Sequence, residues 1–197
     1  MNLPNILTLS RIPMMFLIVW LMRESFTGAA TAAFVLFVVA GVTDWADGYA
    51  ARKLGQVSNF GILMDALTDK ILVLGIMVAL VDKGPSAGGI QMFLFLLILC
   101  REFMITGLRL VAATKGVVMA AESAGKQKTV TQIIALGGFL LAMSFQVDCY
   151  RWGLPYASDI AYWIEWVGRV FFWICTVMTL YSGAKYFKKY GELVFKD

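Results

Sequence analysis

The chain has 197 residues, of which 60% are apolar and only 15% charged, with a formal net charge of +4. Together with a strongly positive mean hydropathy, this excludes a water-soluble globular domain and predicts an all-α integral membrane protein. The basic surplus reads as contact with anionic lipid headgroups, and no RNA- or DNA-binding signature competes with that reading.

Apolar runs near residues 5–22, 29–51, 62–81, 90–113, 130–147 and 160–183 each approach the roughly 20 residues that a helix needs to cross a bilayer. Six transmembrane helices in a single domain, residues 1–197, follow, because the connections are too short for a separate soluble domain. The first run lacks a strongly basic leader and a small-x-small site before Arg23, so it is expected to remain as a span. Arg11, Arg52, Lys53, Lys115, Lys126, Lys128, Lys185, Lys188, Lys189 and Lys196 fall on one side of these spans, with only Arg23, Lys83 and Arg151 on the other. The positive-inside rule then places both termini in the cytoplasm.

Within the first span Asn5, Thr8 and Arg11 recur every three residues along one helix edge, as capping and anchoring groups or as ligand contacts. The next two spans flank the stretch "TDWADGYAARKLGQVSNFGILMDALTDK", which holds Asp44, Asp47, Asp65 and Asp69. Read as antiparallel neighbours joined by a short cytoplasmic turn, these helices bring position 44 level with 69 and 48 level with 65. Asp44, Asp47, Gly48 and Ala51 share one face, and Gly61, Asp65 and Asp69 share another. Four carboxylates that close repel unless a cation lies among them, and an oxygen-only donor set suits magnesium or manganese, as one ion or two. Aspartates inside a membrane are also costly enough to demand a partner or a function. Gly48, Ala51 and Gly61 either allow close helix packing or leave room for a ligand, and Arg52 at the rim is suited to a phosphate.

The fourth span carries Arg101, Glu102 and Arg109, where a cation pairs with a carboxylate or binds an anion. Glu102 is expected to neutralise one of the arginines, and Lys128 to be a headgroup-facing anchor. Cys100, Cys149 and Cys175 are odd in number and lack metal-type spacing, so Cys100 and Cys175 read as small buried side chains. The chain contains no histidine, which leaves carboxylates for acid-base or metal chemistry.

The spacing D-x2-D-G-x2-A-R-x8-G-x3-D-x3-D, filled by Asp44, Asp47, Gly48, Ala51, Arg52, Gly61, Asp65 and Asp69, resembles the signature of the CDP-alcohol phosphotransferase family. "NLPNILTLSRIP", "REFMITGLRLVAA" and "SAGKQKTVTQ" resemble the members that use glycerol 3-phosphate as acceptor, a likeness covering residues 2 to about 132. "MDALTDK" differs from the "LDPxADK" of many members but keeps both acids. The resemblance implies six spans with a polar cavity on the cytoplasmic side, a homodimer in the bacterial inner membrane, and transfer of a phosphatidyl group from CDP-diacylglycerol to sn-glycerol 3-phosphate with release of CMP. It further implies that Asp44, Asp47 and Asp65 hold two divalent ions with Asp69 close by as base. Gly48, Ala51, Arg52, Gly61, Asn5 and Thr8 would contact CDP-diacylglycerol, and Arg101, Arg109 and Lys126 the acceptor phosphate. Rival readings are a relative acting on inositol phosphate, serine or phosphatidylglycerol, an intramembrane prenyltransferase, and a divalent-cation transporter. Residues 133–197 carry only general membrane features.

Overall fold

The computed structural model describes the backbone of residues 3–53, 59–84, 88–114 and 123–195, and within these the side chains of 8–44, 64, 67–84, 88–114 and 127–191. The described residues are all-helical: α1 (Leu3–Arg23), α2 (Ala29–Lys53), α3 (Asn59–Lys83), α4 (Met92–Thr114), α5 (Ser123–Ser144) and α6 (Ala157–Phe195). Six helices match the six apolar runs. A single wide π turn, Phe145–Cys149, continues α5.

Helix contacts close a ring in the order α1, α2, α5, α6, α4, α3. One end of the ring gathers the C-terminus of α1, the start of α2 and the end of α3, tied by an Arg23–Asp82 ion pair and by Arg151 donating to the Ser25 carbonyl. Consecutive helices therefore run antiparallel, whereas the ring neighbours α1 and α3, and α4 and α6, run parallel; the start of α1 and the end of α6 lie at the opposite end, with the signature acids. Among the described residues α2 and α3 make no mutual contact, and most of the stretches expected to pair, within 44–52 and 61–69, lie outside those described with side chains. Helix α1 packs against both, burying Met15, Ile18 and Met22 with Ala33, Phe37 and Ala40 of α2 and Leu72 and Ile76 of α3. Gly75 makes room for this: a methyl group there would lie 2.5 Å from the Met15 sulfur. Helices α5 and α6 cross with Gly138 against Gly168, where an added methyl would lie 3.1 Å from the facing Cα. Small residues allow such backbone approach in apolar surroundings.

At the end away from the termini, the buried carboxylate of Asp148 in the π turn caps α2 from a distance. It accepts hydrogen bonds from the amides of Gly28 and Thr31, both at 2.7 Å, and from the Thr31 hydroxyl at 2.8 Å. The Thr31 amide belongs to the first turn of α2 and the Gly28 amide directly precedes it, where backbone N–H groups have no partners within the helix.

The outside of the ring is apolar. Phe16 and Trp20 on α1, Val35 and Val42 on α2, Val78 on α3, Phe93 and Leu110 on α4, Val130 on α5 and Trp173 and Val177 on α6 are all exposed. Gln127–Cys149 and Ala157–Gly191 are each long and apolar enough to cross a membrane. Helix α6 has 39 residues, giving it a length of roughly 58 Å against a hydrocarbon core of about 30 Å. It runs well beyond the expected 160–183. Its last turns thereby reach the side chains at the acidic end.

Candidate active site

The signature residues sit on two regular helices. Asp44, Asp47, Gly48, Ala51 and Arg52 occupy the last three turns of α2, and Gly61, Asp65 and Asp69 the first three of α3. Of these, the side chains of Asp47, Gly48, Ala51, Arg52, Gly61 and Asp65 lie outside the described residues, as do those of Asn5 and Lys126. Among the described residues no three acidic or thiol groups gather into a metal site.

Asp44 is held by α1. The Arg11 guanidinium, only 1% exposed, meets the Asp44 carboxylate at 2.6 Å, while Asp44 itself remains 46% exposed. Arg11 is thus neither a helix cap nor an interfacial anchor; it is a buried cation beside the first acid of the signature. Thr8, one turn earlier, is buried as well. The half-exposed Asp44 retains open carboxylate surface, and the four-carboxylate donor set of the signature fits magnesium or manganese by charge and by ligand hardness.

Asp69 faces a cavity of about 260 Å³ walled by α3, α4, α5 and α6. Its polar lining is Asp69 and Lys70 from α3, Arg101, Glu102, Thr106 and Arg109 from α4, Lys128, Thr129 and Gln132 from α5, and Tyr186 from α6. Residues 101, 102, 105, 106 and 109 form one stripe of α4, the spacing at which a helix presents a single face. The structure therefore brings together Asp69, Arg101 and Arg109, three of the residues singled out from the sequence.

The cavity also holds groups that the sequence reading missed. Lys128 is buried in its wall and bonded to Glu102, so it is no headgroup anchor. Glu102 neutralises two cations rather than one, because the same oxygen accepts from Arg101 at 3.0 Å and from Lys128. Lys70 donates to the Thr106 hydroxyl at 2.6 Å, and that hydroxyl in turn donates to the Glu102 carbonyl at 2.7 Å. From α6, Ser182 accepts from Arg101 at 2.8 Å, and the Tyr186 ring lies 5.7 Å from the Arg109 guanidinium carbon. The presence of a serine and a tyrosine about one turn apart near the end of the last apolar run was the available signal for α6.

All three cysteines are free. Cys175 is buried as expected, whereas Cys100 is exposed on the outside of the ring, where an apolar environment suits a thiol equally well.

Such a cationic cavity can bind a small dianion beside the Asp69 carboxylate. The family model described as CDP-alcohol phosphatidyltransferase matches residues 1–181. The chain is 40% identical to a Bacillus subtilis protein named CDP-diacylglycerol--glycerol-3-phosphate 3-phosphatidyltransferase, over 97% of this chain and 96% of that one. Proteins of the same name from Rickettsia bellii and Rickettsia typhi are each 34% identical over 95% of this chain, covering 94% and 96% of their own lengths. The chain belongs to the CDP-alcohol phosphatidyltransferase family.

Proposed function

We propose that this enzyme transfers the phosphatidyl group of CDP-diacylglycerol to sn-glycerol 3-phosphate, yielding phosphatidylglycerol phosphate and CMP. The observation that carries the reading is the position of Asp69, the last acid of the signature, in the wall of a cavity that also holds Arg101, Arg109, Lys70 and Lys128. A carboxylate that can take a hydroxyl proton thus stands beside cations that can hold the same molecule's phosphate. The names of the related proteins support this acceptor.

The phosphate of the acceptor lies against Arg101 and Arg109, with Lys126 added on the family resemblance, and this fixes the hydroxyl at the far end of the three-carbon chain toward Asp69. As that oxygen bonds to the phosphorus bearing diacylglycerol, its proton passes to the Asp69 carboxylate. The bond from that phosphorus to the bridging oxygen breaks, and CMP leaves. Arg52 and the small residues Gly48, Ala51 and Gly61 hold the pyrophosphate end of the donor, with Asn5 and Thr8 toward its nucleotide. Asp44, Asp47 and Asp65, with Asp69, would hold two magnesium or manganese ions, which when bound neutralise charge on the pyrophosphate and on departing CMP. Arg11 keeps Asp44 in place.

The apolar exterior and the two long apolar helices support an integral membrane protein. Exposed Trp20, Tyr150, Trp152, Tyr162, Trp163 and Trp166 cluster at the end away from the acids, as aromatic residues do at a membrane interface. With the lysines and arginines at the other end, this supports cytoplasmic termini and a cytoplasm-facing site in a bacterial inner membrane. The homodimer implied by the family stays part of the proposal.

Mass analysis of the lipid formed by purified protein from CDP-diacylglycerol, sn-glycerol 3-phosphate and magnesium tests this directly. Phosphatidylglycerol phosphate should appear in equal amount with CMP. Formation of a different lipid from an offered inositol phosphate or serine, with none from glycerol 3-phosphate, would keep the reaction class and refute the acceptor.

A further inference from the structure

We propose that Glu102 is a positioning residue for the acceptor: its carboxylate draws Arg101 and Lys128 together so that both cations meet one phosphate. The inference deepens the proposed function and rests on its reading of the cavity as a phosphate-monoester site.

A carboxylate in the wall of an anion site needs a reason, because it repels the ligand. Glu102 is only 14% exposed, and its Oε1 accepts from Nη1 of Arg101 at 3.0 Å and from Nζ of Lys128. One oxygen thereby ties α4 to α5. Arg101 is gripped from its other side by α6, where Nη2 donates to the Ser182 hydroxyl at 2.8 Å and the side chain lies over Gly183. A methyl group on Gly183 would lie 3.0 Å from Cγ of Arg101, so this glycine keeps the guanidinium's path open. Helices α4 and α6 thus converge on Arg101, and Glu102 adds Lys128 of α5.

Charge points the same way. Among the described lining residues Lys70, Arg101, Arg109 and Lys128 outnumber Asp69 and Glu102, so the wall is cationic even with Glu102 in it. A cationic wall suits a phosphate monoester, which is close to a dianion near neutral pH. Without Glu102, Arg101 and Lys128 would face each other as like charges in a half-buried wall and separate.

Positioning and plain electrostatics predict opposite signs. If Glu102 acted only as a negative charge near the phosphate, its neutralisation would tighten acceptor binding. If it positions the two cations, neutralisation weakens it.

The test uses the full-length wild type, Glu102→Gln, Glu102→Asp and Lys128→Met in lipid-detergent micelles with magnesium, with KM measured for each substrate and unfolding followed by temperature. Glu102→Gln should raise KM for glycerol 3-phosphate by about tenfold or more, the loss expected when charge-assisted hydrogen bonds go. KM for CDP-diacylglycerol should stay within about twofold, because the change is confined to the acceptor side. Glu102→Asp should recover part of the loss, since it restores the charge on a shorter arm. An unchanged or lowered KM for the acceptor in folded Glu102→Gln overturns the proposal, and so does an equal rise in both KM values with lowered thermal stability. Should Glu102→Gln not fold, Lys128→Met decides: an unaltered acceptor KM there is equally fatal. A wild type that ignores glycerol 3-phosphate but uses another alcohol refutes the proposed function, whereas a saturable wild type with an indifferent Glu102→Gln refutes only this inference.

Discussion

Arg11 and Asp44 form an ion pair of unequal members: the guanidinium is 1% exposed and the carboxylate 46%, at 2.6 Å. Loss of either partner therefore has unequal consequences. Asp44→Asn removes a countercharge from a buried cation and should cost about 3 kcal/mol, the lower end for breaking a buried pair. Arg11→Met leaves a carboxylate that water already reaches, and should cost about 1 kcal/mol. Thermal unfolding of both variants in detergent with chelator present checks the order; a larger loss for Arg11→Met would show that Asp44 is not what balances Arg11.

The metal proposal makes its own demand. Turnover should vanish with excess chelator and return with magnesium or manganese. Asp47→Asn and Asp65→Asn should each raise the metal concentration for half-maximal rate by about tenfold or more, since each removes an anionic oxygen ligand. Undiminished turnover in chelator would contradict it.

At Asp69 chemistry separates from binding. Asparagine keeps the size and one hydrogen-bonding oxygen but accepts no hydroxyl proton, so turnover should fall by about 100- to 10,000-fold. CDP-diacylglycerol affinity measured with metal and without acceptor should change far less. Near-normal turnover would remove Asp69 from the mechanism, and joint loss of metal and donor binding would make it chiefly a ligand.

The spacing of the acids made the signature legible, and six apolar runs foretold six helices because hydropathy reports length and burial directly. What intervenes between two helices leaves no such trace. Nothing in the spacing of residues 44–69 shows that α1 packs against both α2 and α3, so the sequence leaves Arg11 as a cap, an anchor or a contact rather than as the partner of Asp44. Lys128 is ambiguous in sequence for a related reason: one lysine near a helix start looks alike whether it points to headgroups or into a cavity, and only Glu102 across the gap distinguishes the two. Tyr186 is hidden because α6 continues beyond its apolar stretch, and Ser182, within that stretch, because its role depends on α4 lying next to it.

Asp148 supplies a control remote from the chemistry. Its three hydrogen bonds to Gly28 and Thr31 hold the first turn of α2 at the far end of the bundle. Asp148→Ala should lower stability by about 1–3 kcal/mol, the cost of a lost cap with buried donors left unmet. Both KM values should remain near wild type in the folded fraction. A selective rise in acceptor KM would tie this end of the bundle to the site.

Whether the cavity beside Asp69 reads the acceptor's phosphate is tested most sharply by kcat/KM for sn-glycerol 3-phosphate against glycerol, which offers the hydroxyls without the phosphate. The wild type should favour the phosphate ester by about a thousandfold or more, as expected when several charge-assisted hydrogen bonds are made to one substrate only. Arg109→Ala should erase a large part of that ratio by slowing the ester alone. Comparable kcat/KM for the two alcohols in the wild type would contradict the account.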